Sequence, residues 1–154
     1  MEKSYKAHIE QINKQIKELV SVYREAVKGM DISESEFWVW YTLVAMEGDF
    51  TQQDICALWS LPKQTVNTAI AHMRLRRYAV LEAVPRTRNR KIIRLTAEGR
   101  KYGEKLVEPI SRAEQRAFAR VKPEELQLVN DAFGKYINII REEMHTGKED
   151  MLCD

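Results

Sequence analysis

The stretch Pro85-Arg-Thr-Arg-Asn-Arg-Lys-Ile-Ile-Arg-Leu-Thr-Ala-Glu-Gly99 sets Arg86, Arg88 and Arg90 at alternate positions and then passes through an Ile92-Ile93 pair to a helix-start signal at Thr96. Val80–Val84 before it and Lys91–Leu95 within it are short runs rich in branched apolar residues, separated by the polar PRTRNR. This spacing predicts a β-hairpin with a basic tip. Alternate residues of an extended arm lie along one edge, so the three arginines can reach a phosphate ridge or a narrow minor groove together. Such an arm repels itself unless a polyanion neutralises it, and nucleic acid is one.

The chain has 154 residues, 44% of them hydrophobic, enough for one domain or two small ones sharing a core. Its formal net charge of +2 hides a strong asymmetry. Residues 63–94 hold nine Lys/Arg against Glu82 alone, net +8, while the rest carries sixteen bases and twenty-two acids. One region is suited to an anion and the remainder is not. No apolar run approaches the ~20 residues needed to cross a bilayer, and the opening MEKSYKAHIEQ lacks the apolar core of a secretory signal. A cytoplasmic protein with no membrane association is expected.

Ile9, Ile12, Ile16, Leu19, Val20, Tyr23 and Val27 recur at three- and four-residue spacing and predict a long amphipathic helix from about residue 4 to Gly29. Ser33-Glu-Ser-Glu36 reads as a capping box opening the apolar FWVWYTLVAM. Gly48-Asp49 breaks that helix, and Thr51-Gln-Gln-Asp54 signals entry to a short one. Pro62 suits the first position of the next, whose buried stripe is Val66, Ile70 and Met73. Thr96 caps a helix running towards Ser111 or Arg120, and Pro123 starts a last one with Leu126, Val129, Phe133, Tyr136, Ile137, Ile140 and Met144 on its apolar face. The tail from Thr146 is expected to be polar and frayed.

The order helix, turn, helix, basic hairpin is that of a DNA-binding helix-turn-helix followed by a wing. A second helix of this kind presents the side chains near its N-terminus to base edges in the major groove. Lys63, Gln64, Thr65, Asn67 and Thr68 stand opposite the apolar stripe, and the amides of Gln64 and Asn67 match adenine N6 and N7. Lys63 and Arg74 can hold phosphates, as can Arg86, Arg88, Arg90 and Lys91 of the hairpin.

From Ile32 to Gly103 the chain resembles the winged helix-turn-helix core of MarR/SlyA transcriptional regulators. The matching pieces are Ser35-Glu36-Phe37, Thr51-Gln52-Gln53-Asp54-Ile55, Leu61-Pro62-Lys63-Gln64-Thr65-Val66-Asn67 and Arg94-Leu95-Thr96-Ala97-Glu98-Gly99, and the LTxxG ending is the most specific of them. The resemblance implies a mainly α fold with a small β-hairpin wing (α+β). It divides the chain into an N-terminal dimerisation helix (1–31), a winged DNA-binding domain (32–100) and C-terminal dimerisation helices with a tail (101–154). It further implies a homodimer that binds a palindromic operator in double-stranded DNA, more often as a repressor. A small aromatic effector is held in many such dimers between the dimer helices and the DNA-binding lobe, where Tyr23, Trp38 and Tyr41 are the candidates here; each also reads as a core aromatic.

This sequence departs from the family pattern at Arg86, where an acid usually begins the wing motif. It also has Arg77-Tyr78 where a glycine commonly ends the recognition helix, and Thr68 where an arginine is frequent. An altered sequence preference is expected.

Cys56 and Cys153 have neither disulfide-framework nor zinc spacing, and His8, His72 and His145 are scattered, so no metal and no cofactor are expected. Cys56, within an apolar helical pattern, reads as a buried inert thiol. Asp49, Asp54 and Glu82 form no paired-carboxylate motif, and no phosphate loop or nucleophile elbow supports an enzyme. The remaining alternative is a winged-helix interaction module whose basic arm meets an acidic partner.

Overall fold

The computed structural model describes residues 2–84, 87 and 90–151, and side chains among 5–145 of these; Arg86, Arg88 and Cys153 lie outside the described residues. Among the described residues six helices and one hairpin follow in the order α1 (Glu2–Val27), α2 (Glu34–Ala45), α3 (Gln52–Trp59), α4 (Lys63–Leu75), β1 (Ala79–Ala83), β2 (Lys91–Leu95), α5 (Ala97–Phe118) and α6 (Pro123–Met151). They divide into two compact units, residues 1–111 and 112–154.

Local chemistry starts most helices of the first unit where the sequence signals them. The Ser33 hydroxyl accepts from the Glu36 N–H at 3.1 Å, though the reciprocal half of the predicted capping box is not formed. Thr51 and Asp54 make a complete one: the Asp54 N–H donates to Thr51 Oγ1 (3.2 Å) and the Thr51 N–H to Asp54 Oδ2 (2.8 Å). Pro62 is the N-cap of α4 and Lys63 its first helical residue, one position later than expected. β1 likewise lies one residue earlier than the Val80–Val84 run and pairs antiparallel with β2 from Ala79↔Leu95 to Ala83↔Lys91.

The core of this unit gathers Phe37, Val39, Trp40 and Leu43 of α2, Ile55 of α3, and Val66, Ala69, Ile70 and Met73 of α4. Ala79, Ile93 and, from α5, Val107 and Ile110 complete it. The wing is tied to this core at its base, where the Ile93 N–H donates to the Phe50 carbonyl (2.9 Å) and Thr51 bridges Ile92.

The LTxxG motif acquires a physical reason. Thr96 Oγ1 donates to the Arg77 carbonyl (2.8 Å) and accepts the Gly99 N–H (3.0 Å), while the Thr96 N–H donates to the Tyr78 carbonyl (2.9 Å). A Cβ on Gly99 would stand 1.9 Å from the Tyr78 carbonyl oxygen, so only glycine lets α5 start against the end of α4. One turn later Gly103 leaves room for the Trp40 ring and Val44, each 2.7 Å from where a Cβ would be.

The apolar row predicted for α1 is not buried within the chain. Val27 is buried and Tyr23 and Ile12 are half-buried, but Ile9, Ile16, Leu19 and Val20 are exposed. In the second unit, α6 leaves Val129, Phe133, Ile137 and Met144 exposed. The tail expected to fray from Thr146 continues α6 as helix to Met151. No helix among the described residues is long and apolar enough to cross a membrane.

Candidate nucleic-acid interface

Helix α4 buries Val66, Ala69, Ile70 and Met73 and turns its other side to solvent. Lys63, Gln64 and Thr68 are exposed there, as is Arg74 a turn and a half further on. Thr65 is half-buried at the edge of this face, and Thr68 donates its hydroxyl proton to the Gln64 carbonyl (2.9 Å). Asn67 is placed differently from Gln64: its Oδ1 is buried without a hydrogen-bond partner. A bidentate contact to adenine needs both ends of the amide at the surface, so Gln64 is the better disposed of the two.

The helix ends in a bend closed by two bonds, Arg77 N–H to the Arg74 carbonyl (2.9 Å) and Tyr78 N–H to the Met73 carbonyl (2.8 Å). Arg77 occupies the left-handed conformation there, at φ +59°, in the place where a glycine would carry no strain.

Between α3, the start of α4 and the base of the wing lies an open groove lined by Thr51, Gln52, Asp54, Lys63, Arg90 and Lys91, among others. Lys91 is exposed, and Arg90 leans on Asp54 at 3.7 Å while staying more than half exposed. The donated N–H and hydroxyl of Thr51 hold the Asp54 carboxyl below the usual carboxylate range, against a small opposing effect of burial, and Arg90 adds to the lowering. Cys56, expected as a buried thiol, is only half-buried and lines the same groove, because α3 has a single buried residue, Ile55.

The cationic count of the hairpin is lower than the sequence suggests. Arg94 is engaged inside the unit: it grips both oxygens of Asp49, one at 3.0 Å, and donates from Nε to Glu82 at 2.9 Å. These carboxylates favour its charged form and staple the wing to the loop before α3. Sequence reading counted Arg94 in the +8 of residues 63–94 with Glu82 alone against it, since Asp49 lies 45 positions away. Of the remaining wing candidates, Arg86 and Arg88 lie outside the described residues.

Tyr23, Trp38 and Tyr41 come together as one aromatic cluster with Trp59. The Trp38 ring stacks on Trp59 at 4.2 Å and meets Tyr23 at 5.2 Å and Tyr41 at 5.6 Å. The Trp59 indole N–H donates to Thr42 Oγ1 (2.7 Å), which fixes the stack to α2. None of the three candidates lines the groove beside the wing. Among the described residues no group of His, Cys, Asp or Glu could hold a metal ion.

A short helix, a turn, a helix with a polar outer face, and a basic hairpin anchored to the same core define a winged helix-turn-helix fold. Residues 30–88 match the model of the MarR family. The fold is also that of a MarR family regulator from Neisseria meningitidis, 23% identical, with a TM-score of 0.78 over 91% of this chain and 98% of that one. FabT of Streptococcus pneumoniae, solved in complex with DNA, is 14% identical with a TM-score of 0.62 over 90% and 98% of the two chains. BpsR of Bordetella bronchiseptica, whose DNA binding is regulated by 6-hydroxynicotinic acid, is 17% identical with a TM-score of 0.58 over 82% and 90%. No curated protein matches the chain in sequence.

Proposed function

We propose that this protein is a homodimeric, sequence-specific transcriptional repressor that reads a palindromic operator. Helix α4 enters the major groove with Lys63, Gln64, Thr65 and Thr68 leading, Arg74 holds a phosphate, and the wing with Arg86, Arg88, Arg90 and Lys91 follows the adjacent backbone and minor groove. The observation that carries the reading is the solvent-facing polar and basic side of α4 standing beside the basic base of the wing, in one unit with one core. Structural likeness to FabT, a protein solved in complex with DNA, supports DNA as the partner.

Dimerisation is supported by the apolar residues that α1 and α6 each leave exposed, among them Leu19 at 59% and Leu128 at 68%. Apolar rows of this length are characteristic of a surface covered by another copy. A small aromatic effector of the kind that regulates BpsR would release the operator by altering the spacing of the two α4 helices, and the Tyr23–Trp38–Tyr41 cluster is where we place its contacts.

Selection of bound sequences from a random duplex pool by the purified protein at physiological salt tests the proposal. An enriched inverted repeat with half-sites about 10 base pairs apart, one turn of DNA, supports it. A folded protein that enriches nothing refutes operator reading and favours the interaction-module alternative.

A further inference from the structure

The outward centre line of α4 runs through Gln64, Thr68, Ala71 and Leu75, spaced by four, three and four residues, and all four are exposed. After Gln64 this line is made of methyl groups. Thr68 is exposed and commits its hydroxyl proton to the Gln64 carbonyl, 2.9 Å away, so that proton is engaged within the helix and the methyl is the apolar branch of the side chain. Ala71 offers only a methyl, and Leu75 is 83% exposed, more than any other large hydrophobic residue among those described in the first unit. Resting on the reading of α4 as the recognition helix, we propose that Thr68, Ala71 and Leu75 form an apolar ridge that reads the 5-methyl groups of thymines in the operator half-site.

The shape and the flanks select this occupant. The ridge is one side chain wide and carries no charge, while Lys63 lies ahead of it and Arg74, Arg76 and Arg77, all exposed, lie beside and beyond its end. A protein partner would need a broad apolar patch of several hundred Å² on each side. A major groove instead offers a narrow floor of base edges between two phosphate ridges, which matches a neutral ridge with cations around it. Thymine alone among the four bases puts a methyl on that floor, and apolar side chains such as Thr and Ala are its usual complement. From Thr68 to Leu75 the ridge spans seven residue steps, ~10 Å at 1.5 Å per residue, or about three base pairs. No arginine or lysine stands on the line to take a guanine bidentately.

The test uses the full-length protein and its selected operator, with thymines of the half-site replaced one at a time by deoxyuridine, which deletes the methyl and keeps O4. Affinity is expected to fall about fourfold per contacted methyl, the ratio equivalent to ~0.8 kcal/mol for one buried methyl-sized group. Thr68→Ser, which removes one methyl and keeps the hydroxyl, and Leu75→Ala should each cost a similar factor and abolish the deoxyuridine effect at one position. Sequence preference that survives deoxyuridine throughout the half-site within 1.5-fold overturns the methyl ridge while leaving operator reading intact. Variants that keep the full deoxyuridine effect also overturn it. Failure to enrich any sequence in the selection overturns both readings together.

Discussion

Replacing Gly99 by alanine should destabilise the winged unit by about 2–4 kcal/mol. The added Cβ would lie 1.9 Å from the Tyr78 carbonyl oxygen, 2.7 Å from its carbonyl carbon and 2.9 Å from its Cα. The first of these is roughly 1.6 Å short of a comfortable ~3.5 Å contact, and the obstacle is backbone, which cannot rotate away as a side chain would. Helix α5 must therefore withdraw from the end of α4. That movement stretches the Thr96 N–H to Tyr78 carbonyl bond (2.9 Å) and the Thr96 hydroxyl to Arg77 carbonyl bond (2.8 Å).

Two lost bonds at ~1 kcal/mol each, with ~1–3 kcal/mol of overpacking, set the cost. The better helix propensity of alanine returns ~1 kcal/mol. Urea unfolding followed by circular dichroism, at one fixed protein concentration, measures the difference. A change below 0.5 kcal/mol, or a gain in stability, would refute the close approach of α5 to Tyr78 and with it the reason given for the LTxxG motif.

Arg74→Ala should weaken binding to every DNA sequence and lower the salt slope by about one unit, whereas Arg94→Ala, whose charge is held by Asp49 and Glu82, should weaken binding with the slope unchanged; titrations at several salt concentrations separate them. Gln64→Ala should relax preference at one base pair at a cost of ~1–3 kcal/mol, while Asn67→Ala, which removes an unpaired buried oxygen, should leave both preference and stability undiminished in competition binding and denaturation. Asp54 titrates below its ordinary value, so its capping contribution is present above about pH 4 and lost as pH falls through that lowered pKa. Asp54→Ala should accordingly cost ~0.5–2 kcal/mol at neutral pH and flatten the acid limb of the stability profile. Arg77→Gly should raise the unfolding free energy by about 0.5 kcal/mol, because relief of the left-handed strain slightly exceeds the entropy cost of glycine; a loss would mean that the Arg77 side chain stabilises the bend.

The helices and the hairpin were legible because their signals act over three or four residues. Thr51 with Asp54, Thr96 before α5 and the 66/70/73 stripe of α4 each need only their immediate neighbours to do their work, and they hold in the folded chain. Errors of a single position at Pro62 and at β1 are of the same local kind, since a cap and a first turn compete for the same residue. The frayed tail was misread because composition beyond Thr146 is polar, while helix continuation is a property of the backbone already nucleated from Pro123.

By itself the sequence determined the order of elements, the winged helix-turn-helix class and the face of α4 that meets solvent, since periodicity and caps are written in adjacent residues. Only the tertiary structure decided that Arg94 belongs to Asp49 and Glu82 and not to a free basic arm, and that Gly99 is required by the carbonyl of Tyr78. It also decided that Asn67 turns its oxygen inward and that the apolar rows of α1 and α6 stay exposed within one chain. Each of these depends on atoms brought together across many positions, or on a surface the chain does not cover for itself, and no local pattern encodes either.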